Sequence, residues 1–368
     1  MTKQNIFVVG GGTGGHLFPA IATAEALQKR GYIVSLITDY RCVKYLKNHD
    51  TLPTHILAGS YQPKSSIVSK IIGIFFTLIT LAHSLVLLYK KKPVLIIGFG
   101  GYVSYPPLLA ASILGIPIMI HELDCFLGKV NYRFAKNAVK ISVVSKNTKN
   151  MPSNLSKDKI VVSGNPVRHE ILTYKPQTTR KRTKGDVFKI LITGGSQGAS
   201  FFSSIIPVAI NLAQEHYPSL KIEVIQQARP EDIENLKKSY KKYHIKGNIE
   251  SFFYNMPELL YNADLLIGRA GAATISEIIA VLKPAILVPY PFAAEKHQHF
   301  NAKMIQDSGG GWFFDQYELT PEILSSKIIE IIGDKAILSD AKNALKSLQK
   351  DSTNIIADTA DKIIQKFK

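Results

Sequence analysis

The sequence predicts an α/β protein made of two Rossmann-like, doubly wound parallel-sheet domains in tandem. Three observations predict it. Apolar strands alternate with helical stretches from the first residues onward, the alternation pauses once near the middle, and it then restarts with the same succession of strand, glycine loop and helix. Alternation at this spacing implies βαβ units and a parallel sheet. A chain of 368 residues also exceeds the size at which a single core stops growing, so two domains are expected.

The first half opens with a strand over residues 6–9, a glycine loop, a helix over 20–29, Gly31 and a second strand over 32–38. Strand-like stretches at 54–58 and 94–98 follow, and the apolar grammar continues through 108–114, 116–121 and 141–144. Between Asn165 and Asp186, the prolines Pro166 and Pro176 and a polar run over 178–184 read as linker and surface loop. The second half restarts with a strand over 188–193, a loop over 194–198 and a helix over 199–215. Further strands are expected at 221–226, 249–253, 264–268 and 285–288. Residues 352–368 have helical periodicity with no strand after them. The expected division is an N-terminal domain over 1–165, a C-terminal domain over 166–345, and a helical segment over 346–368 that packs across one domain or the other.

Composition restricts the function classes. Hydrophobic residues make up 46% of the chain, which supports packed cores and argues against disorder. Residues 1–165 hold 19 basic and 6 acidic side chains, whereas the remainder holds 26 and 22. Such polarity points the first half at a polyanion: nucleic acid, anionic lipid or a phosphorylated substrate. No nucleic-acid module or aromatic-basic interleaving accompanies it, so nucleic acid is not an expected partner. Cys42 and Cys125 are too few for a disulfide scaffold and lack metal-ligand spacing, which fits a reducing cytosol. The amino terminus runs straight into a strand, without the pattern of a signal peptide.

Residues 71–89 contain no charge and precede Lys90, Lys91 and Lys92, a length that matches a membrane span. Spanning would place the strands at 54–58 and 94–98 on opposite sides of a bilayer, whereas a crossover helix returns the chain to one sheet. Two readings stay open: an interfacial helix edged by Lys70 and Lys90 to Lys92 against anionic headgroups, or a buried crossover helix.

Three glycine-containing loops carry the chemistry. Gly10, Gly11, Gly12, Thr13, Gly14, Gly15 and His16 lie where a strand hands over to a helix, so backbone amides and the positive helix end face a phosphate. Gly10, Gly12 and Gly15, with Asp39 closing the next strand, also satisfy the dinucleotide fingerprint, which makes an NAD-linked oxidoreductase a rival reading. Against it stand two further phosphate-ready loops, Gly194 to Ala199 and Gly271 to Glu277, in the second half. Ser196 and the amides near Thr274 to Ser276 suit a diphosphate, and Glu277 suits ribose hydroxyls. A helix cap and a dipole-complementing acid are the structural alternatives.

At these residues the chain resembles the MurG family of N-acetylglucosamine transferases. The likeness covers nearly the whole sequence. It rests on Gly11 to His16, Gly100 to Ser104, His121 with Glu122, Ser163 to Arg168, Gly194 to Ala199, Gly271 to Glu277, and His297 and Gln298 with Asn301 and Ala302, all in family order. The resemblance implies the glycosyltransferase B fold, two domains facing across a cleft, with the donor held mainly by the C-terminal domain and the acceptor by the N-terminal one. It implies UDP-N-acetylglucosamine as donor, undecaprenyl-linked lipid I as acceptor, and an anionic membrane surface at the cytoplasmic face of the bacterial cell membrane. By the same resemblance Arg168 and Ser196 contact the diphosphate, Phe253 gives a backbone contact to uracil, Glu277 binds ribose, and Ala272, Ala273, Thr274, Ile275 and Ser276 form the helix-start loop around the diphosphate. Gln298 contacts the sugar, and Thr13, Gly14 and Gly15 face the donor from the first domain.

The resemblance implies an inverting displacement at the anomeric carbon, which needs a base for the acceptor hydroxyl, and His16 is the candidate because imidazole titrates near neutral pH. The chain has no Asp-x-Asp motif to ligate a metal, so a reaction without metal or cofactor is expected. Two positions depart from the family pattern. Asp124 stands where an asparagine amide is usual, and Tyr105 replaces a glycine in the loop before Pro106. An aspartate there can accept from sugar hydroxyls but cannot donate.

Overall fold

The computed structural model describes residues 4–46, 51–57, 67–175, 187–194 and 200–367. The chain forms two compact units: unit 1 is Met1–Arg168 with Lys350–Lys368, and unit 2 is His169–Gln349.

Unit 1 runs β1 (Asn5–Val9), α1 (Gly14–Lys29), β2 (Ile33–Asp39), β3 (Thr54–Leu57), α2 (Ile67–Lys91), β4 (Leu95–Gly98), α3 (Gly101–Ile113), β5 (Ile118–Glu122), α4 (Lys129–Ala135), β6 (Lys140–Val143) and β7 (Ile160–Val162). Its seven strands are parallel in the order β3-β2-β1-β4-β5-β6-β7. The register pairs Ile6 with Val34 on one side of β1 and with Leu95 on the other. Strand order therefore reverses at the β1/β4 boundary, and the crevice beyond their carboxyl ends is where such a sheet takes ligands. The glycine loop after Val9 and the Gly100–Gly101 turn after β4 both open there. Both faces of the sheet are covered, so the strands read as continuous apolar runs, and Phe7, Val9, Ile96, Ile120 and Leu108 share one buried core.

Unit 2 repeats the plan. It contains α5 (His169–Thr173), β8 (Phe188–Thr193), α6 (Ser200–His216), β9 (Ile222–Gln227), α7 (Pro230–Lys242), β10 (Lys246–Glu250), α8 (Met256–Asn262), β11 (Leu265–Gly268), α9 (Ala272–Ala280), β12 (Ala285–Leu287), α10 (His297–Ser308), β13 (Gly311–Phe313), α11 (Pro321–Gly333) and α12 (Lys335–Leu348). Six parallel strands lie in the order β10-β9-β8-β11-β12-β13, with Phe188, Ile190, Ile192, Phe202, Ile206 and Ile267 at the core. Here the order reverses between β8 and β11. α13 (Ser352–Lys366) belongs to unit 1, where it packs along α1. Arg30 Nη1 reaches Asp361 Oδ2 at 2.6 Å and Asp358 Oδ1 at 2.7 Å, and the Tyr32 hydroxyl donates to Asp361 Oδ1 at 2.7 Å.

Two strand assignments differ from the sequence reading. The strand expected at 249–253 forms instead over Lys246–Glu250, because Gly247 passes so close to β9 that a Cβ would lie 2.3 Å from the Val224 carbonyl oxygen. The polar Lys246, Gly247 and Asn248 conceal this exposed edge strand from an apolar-pattern search. Strands β7 and β13, each three residues long at a sheet edge, also escaped it.

Helix α2 joins β3 to β4 of one sheet, so it is a crossover that returns the chain to the same layer. It is not a buried one. Gly73, Thr80, Ser84, Leu87 and Leu88 are its buried side, while Ile71, Ile74, Phe75, Leu78 and Val86 are each more than half exposed. The usual amphipathic arrangement is inverted. Small residues let α2 approach α3, where the Thr77 and Tyr102 hydroxyls hydrogen-bond, and Thr77, Thr80 and Ser84 each return their hydroxyl to the carbonyl one turn earlier at 2.7 Å. A row of large apolar side chains on the outside is the signature of a surface that meets another phase or partner.

Candidate active site

The unit 1 loop is shaped from behind. At Gly10 a Cβ would lie 2.6 Å from the Ala20 methyl, and at Gly11 it would lie 2.8 Å from the Thr38 hydroxyl, so the loop fits closely between β1, β2 and α1. Gly12 takes φ +82, and its N–H donates to Asp39 Oδ1 at 3.0 Å. Arg41 Nε binds the other oxygen at 2.5 Å. Asp39 is 1% exposed. Both of its oxygens face the protein, so the acid that a dinucleotide site offers to ribose is spent here on holding the glycine loop.

Thr13 starts α1 without capping it, since its hydroxyl lies 3.2 Å from Nδ1 of His16 instead. The first-turn amides of Gly14 and Gly15 therefore lead the helix with its positive end. His16 is half-buried, and its ring passes beside Gly101, where a Cβ would sit 3.6 Å from Nε2. Gly101 itself takes φ +70 at the head of α3. The imidazole thus bridges the two loops at the strand-order reversal.

Histidine 121 and Glu122 at the end of β5 hold the remaining loops rather than facing outward. His121 is fully buried, with Nδ1 3.0 Å from Ser142 Oγ and Nε2 2.9 Å from Asn165 Oδ1. The Asn165 amide donates to the Leu123 carbonyl at 2.7 Å, which fixes its oxygen toward the imidazole. Burial pushes the His121 pKa down to about 4, so the ring is neutral and donates through Nε2. Glu122 accepts from the N–H of Asp124 at 3.1 Å, the N–H of Gly128 at 2.9 Å and the Asn131 amide at 2.9 Å. Burial first, and the nearby Asp124 charge second, push its pKa up to about 7. These two side chains set the loop that carries half-buried Asp124 and the segment that ends in Arg168.

The Arg168 guanidinium lies over the Phe18 ring at 5.2 Å, and Phe18 packs against Gly14 on the first turn of α1. Unit 1 therefore brings Thr13, Gly14, Gly15, His16 and Arg168 to one helix start. Tyr105 turns away from the loop to pack on Phe134 of α4, with ring centroids 5.7 Å apart, so its replacement of a glycine leaves the Gly100–Gly101 turn undisturbed.

In unit 2, Gly271 precedes α9 in an extended conformation and offers no side-chain cap. Ala272, Ala273 and Thr274 present the leading amides. Ile275 is different: its N–H donates to the Gly271 carbonyl at 3.0 Å and its side chain enters the core. The Ser276 hydroxyl donates back to Ala272 at 2.7 Å, and Glu277 is half-buried one turn along. Gln298 accepts the Tyr290 N–H through Oε1 at 2.9 Å, leaving its amide N–H pair to point elsewhere. Phe253 lies past β10 with a buried ring. Ser196 lies outside the described residues. The sequence reading missed Arg41, Asn131 and Phe18, whose parts depend on which side chains the fold brings beside them, and Arg269, which directly follows β11 at the reversal point of the second sheet.

Two parallel-sheet units, each with helix starts gathered where its strand order reverses, define a doubly wound α/β protein of two Rossmann-like units. Residues 6–143 match the glycosyltransferase family 28 N-terminal domain and residues 189–359 match the glycosyltransferase family 28 C-terminal domain. The chain belongs to this glycosyltransferase family. It is 39% identical, over 98% of its own length and 100% of the other's, to a Rickettsia felis protein named UDP-N-acetylglucosamine--N-acetylmuramyl-(pentapeptide) pyrophosphoryl-undecaprenol N-acetylglucosamine transferase. A Rickettsia bellii protein of the same name is 40% identical over the same shares. Among solved structures, MurG of Acinetobacter baumannii superposes with a TM-score of 0.77 at 26% identity, covering 98% of this chain and 99% of that one.

Proposed function

We propose that this chain transfers N-acetylglucosamine from UDP-N-acetylglucosamine to N-acetylmuramyl-(pentapeptide) pyrophosphoryl-undecaprenol, forming the disaccharide-linked lipid of peptidoglycan synthesis. The observation that carries this reading is the full-length match, at 39% and 40% identity, to two relatives of that name. Unit 2 takes the donor: Glu277 holds the ribose hydroxyls, the start of α9 and Ser196 hold the diphosphate, the backbone at Phe253 meets uracil, and Gln298 meets the sugar. Arg168 and the amides of Thr13 to Gly15 add positive character for the leaving diphosphate. The acceptor belongs to unit 1.

In the transfer, the muramyl 4-hydroxyl oxygen bonds to the anomeric carbon as the bond from that carbon to the β-phosphate oxygen breaks. UDP leaves with the electron pair and the configuration inverts to a β-1,4 link. The hydroxyl proton passes to His16. The Thr13 hydroxyl, 3.2 Å from Nδ1, steadies the ring, and an imidazole can take up a proton near neutral pH, as a general base requires. Asp124 accepts from a sugar hydroxyl. The test is UDP release by the purified chain: turnover with a lipid-linked muramyl-pentapeptide acceptor, and none with diacylglycerol or glycolipid acceptors, is expected. Turnover with another lipid acceptor alone would overturn the assignment.

The exposed apolar row on α2, ending in the exposed Lys90, Lys91 and Lys92, rests on an anionic membrane at the cytoplasmic face, where the acceptor resides. Replacing the three lysines by glutamate is expected to weaken binding to phosphatidylglycerol vesicles by at least about tenfold at low salt. The difference should shrink as salt rises. Unchanged binding would remove the membrane role from this helix.

A further inference from the structure

Among its described residues unit 2 buries two cations, Arg269 and Lys283, and they are not equivalent. The Lys283 ammonium closes the end of α8 by donating to the carbonyls of Tyr261 and Ala263, with the Asp264 carboxylate favouring its charge. Arg269 has no such acid. Its Nη1 donates to the carbonyls of Val288 at 2.9 Å and Pro289 at 3.0 Å, and Nη2 to Gln316 Oε1 at 2.6 Å. Three rings surround the guanidinium, Phe202 at 5.1 Å, Tyr290 at 5.5 Å and Phe201 at 5.7 Å. Among the described residues Nε is buried without a hydrogen-bond partner, and no carboxylate pairs with the side chain. Burial lowers its pKa only to about 10, so the group is charged at neutral pH.

An uncompensated buried cation is costly, and proteins keep one where its field is used. The placement of this one is informative. Its backbone N–H donates to Thr193 at the end of β8 at 3.3 Å, and Gly271, two residues on, opens α9. Phe201 and Phe202 belong to the first turn of α6. Arg269 therefore sits between the positive ends of two helices, at the reversal of strand order, behind the surface where a ligand's negative charge would lie.

We propose that Arg269 is a positioning residue for the donor diphosphate, supplying a fixed positive charge from beneath the two helix starts without touching the ligand. The inference rests on the reading that unit 2 binds a nucleoside diphosphate. The rings and the burial of the side chain keep water from screening the charge, so it acts over a distance at which a surface lysine would not.

The decisive variant is Gln316→Glu, which gives the guanidinium a carboxylate at hydrogen-bonding distance and cancels its field while preserving the packing. In calorimetric titrations UDP affinity should fall about tenfold while uridine affinity stays within about twofold, since uridine carries no charge to feel the loss. Arg269→Met should move the ratio the same way and Arg269→Lys much less. A parallel loss for UDP and uridine, or a folded Gln316→Glu protein with undiminished UDP affinity, would make Arg269 a structural cross-link and overturn the proposal. If the wild-type chain bound uridine and UDP equally, the inference would fall while the fold reading stood. If it bound neither, the donor assignment itself would fall first.

Discussion

The first 165 residues carry the basic excess of the sequence, yet the charges that unit 1 buries among the described residues are the carboxylates of Asp39 and Glu122, whereas unit 2 buries the cations Arg269 and Lys283. The difference follows from which backbone groups each loop offers. In unit 1, turns at the strand ends point N–H groups inward, from Gly12 to Asp39 and from Asp124 and Gly128 to Glu122. In unit 2, carbonyls converge instead, from Val288 and Pro289 on Arg269 and from Tyr261 and Ala263 on Lys283. Buried charge thus reports how the loops of each unit are held. A balance counted along the chain does not reveal this.

The proposed roles put the base in unit 1 and most of the donor contacts in unit 2, and that division carries the largest expected effect. His16→Gln in unit 1 should lower turnover by about a hundredfold to ten-thousandfold while leaving UDP affinity unchanged. Glu277→Gln in unit 2 should do the reverse, weakening UDP binding with a smaller effect on the rate at saturation. Steady-state kinetics with calorimetry on both variants checks this, and a large loss of UDP affinity in His16→Gln would place that residue in the donor site instead.

Next in size is the support beneath the first loop. Asp39→Ala removes the acceptor of the Gly12 N–H and of Arg41 Nε, and with it the carboxylate that holds the glycine loop. A loss of about 3 kcal/mol, the order of two hydrogen bonds to a charged group, is expected from thermal or urea unfolding. If Asp39 instead served a dinucleotide ribose, the variant would be stable and NAD binding would be the property lost.

The smallest effects are the pH dependences, and they have opposite sign in the two units. Glu122, pushed up from 4.5 to about 7, binds its proton more tightly when folded, so its contribution is full below pH 4.5 and is lost as pH rises through 7. Lys283, pushed down from 10.5 to about 8, binds its proton less tightly when folded, so its contribution is full above pH 10.5 and is lost as pH falls through 8. Wild-type stability minus that of Glu122→Gln should therefore decline between pH 4.5 and 7, and wild type minus Lys283→Met should rise between pH 8 and 10.5, each by roughly 3 kcal/mol at most. His121, depressed to about 4, opposes Glu122 over pH 4 to 6.5, so the wild-type curve alone hides the first slope. Flat difference curves would mean that neither buried charge is coupled to folding.

Much of the candidate site was legible because helix starts after strands are local features. Gly10 to His16 and Gly271 to Glu277 are contiguous, and their glycines mark the close backbone approaches that the packing requires. The dinucleotide fingerprint was legible for the same reason and misleading: the spacing of Gly10, Gly12, Gly15 and Asp39 is right, but Arg41, two residues beyond the motif, claims the acid. His121 was visible as a motif residue, yet its partners Ser142 and Asn165 lie 21 and 44 residues away. No local pattern distinguishes a histidine that faces a substrate from one that anchors a loop.

By itself the sequence determined two parallel sheets, their helices and the glycine-lined helix starts, because hydrophobic period and backbone freedom act over a few residues. Only the tertiary structure decided that α2 turns its large apolar residues outward, that α13 returns to α1, and that Asp39 and Arg269 are buried with opposite kinds of partner. Those outcomes depend on which distant groups come within a hydrogen bond's reach. That reach, set by sheet order and packing, does not appear in the spacing of residues along the chain.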